Sequence, residues 1–99
     1  MEAGTRADPA PPTVTVVLPS ALLALFPGSV SPVTVEAESV GAMIDALNAR
    51  WPGMGDRLRD SRPSIRRHIN VFVAGGRATL TTPLAANARV YVLTAMSGG

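Results

Sequence analysis

The sequence predicts an α+β domain: a mixed sheet of four to five strands packed on one main helix. Three observations carry this. One amphipathic helix signal stands in mid-chain, between residues 40 and 51. Short segments of period-two alternation stand on either side of it. The order strand, strand, helix, strand, short strand, strand gives the single apolar stripe of the helix only a sheet to bury against. The 99 residues hold one domain at most.

Residues 1–12 end in Asp8-Pro9-Ala10-Pro11-Pro12 and read as a disordered leader, because proline denies donors to any ladder. The domain is expected to run from 13 to 95, followed by a flexible tail over 96–99. Val14, Val16 and Leu18 alternate with Thr13, Thr15 and Val17, which predicts a first strand ended by Pro19. Ala21 to Phe26 is a short apolar run stopped by Pro27-Gly28, and is read as a packed loop or one helical turn. Val33 to Ala37 predicts a second strand, forming a hairpin with the first through a long connection.

Ser39 is a candidate N-cap, since its hydroxyl can accept from an orphan backbone N–H. Val40, Met43, Ile44, Leu47 and Trp51 follow at helical spacing, and Pro52-Gly53 stops the helix. Trp51 is assigned to the core with the rest of the stripe. Residues 54–66 read as a polar, arginine-rich connection with a turn near Gly55 to Leu58. Ile69, Val71 and Val73 alternate with His68, Asn70 and Phe72 in a third strand. Gly75-Gly76 supplies a turn, Leu80 marks a short fourth strand, and Asn87-Ala88 makes another turn. Arg89 to Leu93 is the last strand, with Val90 and Val92 inward.

Composition excludes several classes of function. All nine cationic residues are arginine, and the net charge is only +2. The sequence pI near 10.5 therefore reflects arginine chemistry rather than a dense basic surface. With four aromatic residues and one loose arginine cluster, nucleic-acid binding is not expected. Cysteine is absent and His68 is the single histidine, so thiolate or histidine-rich metal sites and a cysteine nucleophile are ruled out. No apolar stretch approaches the roughly 18 residues of a spanning helix, and no secretory h-region opens the chain, so the expected location is cytoplasmic. The seven acidic residues are scattered, and no base–nucleophile pair is apparent. His68 reads as structural or exposed. Gly75-Gly76 lacks the helix and lysine of a phosphate loop. Arg57, Arg59, Arg62, Arg66 and Arg67 read as a solvated loop diluted by Asp56 and Asp60. Without lysine, the chain cannot carry isopeptide-linked copies of itself on its own side chains.

The chain finishes Ser97-Gly98-Gly99. A terminal Gly-Gly arises by chance in only about 0.5% of chains when glycine is near 7% of residues, so chance accounts for it poorly. Two glycines make a slim lead to the Gly99 carboxylate, able to enter a narrow tunnel and without a β-carbon beside the reacting carbonyl.

The strand–helix order, the Ser39-Val-Gly-Ala-Met-Ile-Asp-Ala-Leu helix, the Arg67-His-Ile-Asn-Val-Phe-Val strand and the terminal Gly98-Gly99 together resemble the MoaD/ThiS family of ubiquitin-like sulfur carriers. Within it, the nearest likeness is to carriers for cysteine biosynthesis. The resemblance covers roughly Thr13 to Gly99 and implies a β-grasp fold. It also implies a protein co-substrate rather than an enzyme. An E1-like partner would use ATP and magnesium to adenylate the Gly99 carboxylate. A sulfide or persulfide donor would displace AMP, and the thiocarboxylate would pass sulfur to a biosynthetic enzyme. No cofactor or metal would be held by the carrier, which would be a monomer when free. Two features depart from the family pattern: Ala86-Asn87-Ala88 stands where an acidic turn is common, and Leu93-Thr94-Ala95-Met96 precedes Ser97 where a proline and valine are common. Cysteine, molybdopterin, thiazole and secondary-metabolite pathways thus stay open, as does a ubiquitin-like modifier joined through Gly99 to lysines of other proteins.

Phe72, Tyr91 and Leu93 fall on the sheet face away from the helix, close to the tail and its Met96. They are candidates for docking the E1-like enzyme or the sulfur acceptor. The competing reading packs them under the leader or the Ala21–Phe26 segment.

Overall fold

Alternation places Val14 and Val16 inward and Thr13 and Thr15 outward, and in the computed structural model this segment is β1, Thr13–Val17. The structure describes residues 10–60 and 64–94. Pairing reaches back to Pro12, whose carbonyl accepts from the Ala37 N–H at 2.9 Å. The apolar run beyond Pro19 is a helix, α1 (Ser20–Leu25). The Pro19 carbonyl accepts from Leu22 and Leu23, and Leu22 enters the core. β2 (Val33–Glu36) returns antiparallel to β1, with Val16 opposite Val33 and Val14 opposite Val35. This is the long-connected hairpin that the pattern predicts.

The main helix, α2, spans Val40–Arg50. Ser39 caps it, its Oγ accepting from the Ala42 N–H at 3.1 Å. Two more orphan donors are satisfied from a distance: Val40 N–H donates to the Thr82 carbonyl and Gly41 N–H to the Leu80 carbonyl. Leu80 therefore lies in a turn that covers the helix start, not in a strand. Val40, Met43, Ile44 and Leu47 are fully buried. Trp51 packs against the core as expected, though it is not enclosed by it. It is the C-cap residue, half-buried at the rim, with the Arg50 guanidinium 5.2 Å from its ring centre.

The arginine-rich connection opens with a further helix, α3 (Met54–Leu58), whose Met54 and Leu58 are fully buried. Two features join it to α2. Gly53 takes φ 98°, a left-handed conformation in which a side chain would be strained and pressed on Phe26. The Asn48 side-chain oxygen accepts from Gly53 N–H at 3.0 Å and Gly55 N–H at 2.9 Å.

β3 (Ile69–Val73) and β4 (Gly76–Arg77) form a hairpin with Val73 opposite Gly76. Its turn residues are Ala74 and Gly75, at φ 52° and 82°. The turn thus sits one residue earlier than Gly75-Gly76. β5 (Arg89–Thr94) runs parallel to β1 and antiparallel to β3, giving the sheet order β2-β1-β5-β3-β4 among the described residues. The core lies between this sheet and α2, with Val14, Val16, Val33, Val35, Ile69, Val71, Val90 and Val92 facing it. Val73 is half-buried at its margin.

Candidate functional site

β5 is the strand that leads to the tail, and it is the middle strand of the described sheet. Val90 and Val92 are fully buried, so the strand is fixed on one face by the core and on both sides by ladders. It ends at Thr94, opposite Ile69. Met96, Ser97, Gly98 and Gly99, the predicted tail and reacting residues, lie outside the described residues, as do Arg62 and residues 1–9 of the predicted leader. Five residues separate Thr94 from the Gly99 carboxyl group, a span of at most about 17 Å when fully extended.

The face of β5 turned away from the core carries Tyr91 and Leu93. Phe72 of β3 lies directly opposite Tyr91, and Val17 of β1 flanks Tyr91 on the other side. Phe72, Tyr91 and Leu93 are therefore brought together as the alternation predicts. Tyr91 is 42% and Leu93 45% exposed. The Ala21–Phe26 segment goes elsewhere: Leu22 enters the core, and Ala21 and Leu25 line a groove with Ile69 and Thr94 on the helix side. At the margin of the aromatic patch, Arg77 opposes Phe72 and is tied to the Asn70 side chain at 2.7 Å. An exposed apolar face with a polar pair at one margin suits contact with a protein surface.

A second feature was not legible from spacing. Leu25 and Phe26 at the end of α1, Asp56 and Arg57 of α3, and Arg66 and His68 before β3 line a cleft of about 530 Å³. A side groove sharing Leu25, Arg57 and His68 continues it to Thr94. The Nε of Arg66 donates to the Asp56 backbone carbonyl. Of the other arginines in the predicted solvated cluster, Arg59 pairs with Asp45 of α2 at 2.6 Å and Arg67 is exposed. The single sequence signal for the cleft was the arginine density itself.

Among the described residues, no polar or charged side chain is buried and no three acidic or histidine side chains converge as metal ligands. No described helix is long and apolar enough to cross a membrane. The middle strand thus ends between an exposed apolar face and a cleft lined by Arg57, Arg66 and His68.

No protein-family model matches the chain. Over 95 residues it is 32% identical to the sulfur carrier protein CysO of Mycobacterium tuberculosis, covering 87% of this chain and 98% of that protein. A chain of the crystal structure of the Amycolatopsis orientalis BexX/CysO complex superposes with a TM-score of 0.77 at 27% identity, covering 87% of this chain and 99% of that one. SAMP1 from Haloferax volcanii superposes with a TM-score of 0.73 at 28% identity, covering 88% and 99% respectively.

Proposed function

This chain belongs to the ubiquitin-like sulfur carrier family of CysO, and from that premise we propose that it works through the carboxylate of Gly99, as a co-substrate of other enzymes rather than as a catalyst. An oxygen of that carboxylate attacks the α-phosphorus of ATP in an E1-like partner, which releases pyrophosphate and forms an acyl-adenylate. ATP and magnesium belong to that partner. Sulfide then attacks the Gly99 carbonyl carbon, AMP leaves, and a thiocarboxylate remains. A biosynthetic enzyme, of the cysteine-forming kind by kinship with CysO, takes the sulfur.

The observation that carries this reading is the match to a sulfur carrier along nearly its whole length, in a chain that retains Gly98-Gly99. The exposed Tyr91 and Leu93 beside Phe72 are consistent with it, as an apolar face that a partner enzyme would hold. Phe72, Tyr91 and Leu93 form the main docking face, and Met96, outside the described residues, is assigned the same role by its place in the sequence. The CysO of Amycolatopsis orientalis forms a complex with BexX, and for this chain the holders of the face are the E1-like enzyme and then the sulfur-accepting enzyme. Use of ATP by the partner puts the reaction in the cytoplasm.

The test is an intact mass after incubation with ATP, sulfide and a cognate E1-like enzyme. A gain matching replacement of one oxygen by sulfur, absent after deletion of Gly99, supports the carrier reading. An unchanged mass with an active enzyme overturns it. The likeness to SAMP1, a small archaeal modifier protein, favours one second reading, conjugation through Gly99 to lysines of other proteins. Under that reading, immunoblots of host extract show a ladder above 10.2 kDa that vanishes when Gly99 is deleted.

A further inference from the structure

We propose that the cleft beside Thr94 is a second docking point, one that receives a carboxylate-bearing loop of the enzyme that captures the tail. The proposal rests on the carrier reading above. Three observations carry it. First, the cleft adjoins the exit of the tail: its side groove reaches Thr94, from which the Gly99 carboxyl group can travel only about 17 Å. An enzyme body that closes around that carboxyl group therefore lies within reach of the cleft. Second, the charges suit an anion. Arg57 and Arg66 line the cleft, against one carboxylate, that of Asp56, among its lining residues, and the His68 ring lies beside them. Third, Arg66 is already held. Its Nε is engaged by the Asp56 carbonyl, which leaves the two terminal amino groups for a carboxylate and lowers the entropy lost on pairing.

The shape fits a loop rather than a flat surface. Leu25 and Phe26 make one wall, and Leu25 is 53% exposed, an apolar side chain beside two guanidinium groups. Such a wall suits the methylene stem of a glutamate or the backbone of a turn. The cleft opens on the helix side of the sheet, while Tyr91 and Leu93 face the other way. An enzyme that holds both grips the end of β5 from two sides and fixes the direction in which the tail leaves.

The test compares wild type, Arg57→Glu, Arg57→Gln and the double variant Arg57→Glu/Arg66→Glu as substrates for thiocarboxylate formation, at low and high salt. Thermal unfolding of each is recorded alongside. Arg57→Glu is the decisive variant, because its side chain is exposed and the Asp56–Arg66 contact is left intact. The expected result is a carrier KM raised about tenfold or more, the scale of one lost charge pair, with kcat retained. The KM for ATP stays at the wild-type value. Arg57→Gln falls between, and the salt dependence of wild-type kcat/KM flattens in Arg57→Glu. A folded Arg57→Glu with wild-type carrier KM overturns the proposal. So does a rise in the ATP KM alone, which would assign the cleft to nucleotide phosphate. If wild type itself gains no sulfur, the carrier reading falls first and the docking proposal falls with it.

Discussion

At the scale of single residues, the fold depends on a few side chains that satisfy backbone donors. Asn48 does the most local work, since its one oxygen accepts from both Gly53 and Gly55 and so fixes how α3 leaves α2. Asn48→Ala removes the acceptor of both bonds at a half-buried joint, and urea unfolding should show a loss of about 2 kcal/mol. Asn48→Asp keeps the acceptor and should recover most of it. Ala74 acts in the opposite sense. It occupies the left-handed region at φ 52° in the β3–β4 turn, where a β-carbon is disfavoured. Ala74→Gly relieves that strain but adds freedom to the unfolded chain, so a net gain of at most about 1 kcal/mol is expected by the same assay.

At the scale of elements, what was legible is what has a period. α2 was read to within a residue at each end, because Ser39, the stripe of Val40, Met43, Ile44 and Leu47, and Pro52-Gly53 are all local signals. The alternation of β1, β3 and β5 likewise assigned Phe72, Tyr91 and Leu93 to one face. The misses are elements set by distant contacts. α3 has five residues with a glycine among them, too short to show a stripe, and it exists because Met54 and Leu58 reach the core. Leu80 suggested a strand, yet its segment is organised by carbonyls that accept from the first N–H groups of α2, and no spacing encodes that. The cleft of Arg57, Arg66 and His68 was hidden for the same reason, since three separate segments converge on it. Two predictions belong here. Leu47→Ala opens a cavity in the fully buried stripe and should cost about 2–5 kcal/mol in denaturant unfolding. Tyr91→Glu puts a charge at the centre of the proposed docking face while leaving the core untouched. Its unfolding midpoint should stay within about 0.5 kcal/mol of wild type in equivalent free energy, while its conversion by the E1-like enzyme falls steeply.

At the scale of the whole molecule, stability and chemistry are housed in different parts of the chain. Among the described residues the last core position is Val92, and the carboxyl group that carries the proposed reaction follows Thr94 in the sequence. Deletion of Gly98 and Gly99 should therefore abolish the sulfur-dependent mass gain and leave the thermal midpoint unchanged. A shifted midpoint would mean that the tail contributes to the fold. The position of β5 has a mechanical side as well. An enzyme that draws the tail into its own active site pulls along the axis of the middle strand. That strand is bonded to β1 on one side and β3 on the other, so the load falls on both ladders in shear. Their hydrogen bonds must break together rather than unzip in turn. The domain can thus be held by its end and tugged, turn after turn of the sulfur cycle, without being unravelled by the hand that holds it.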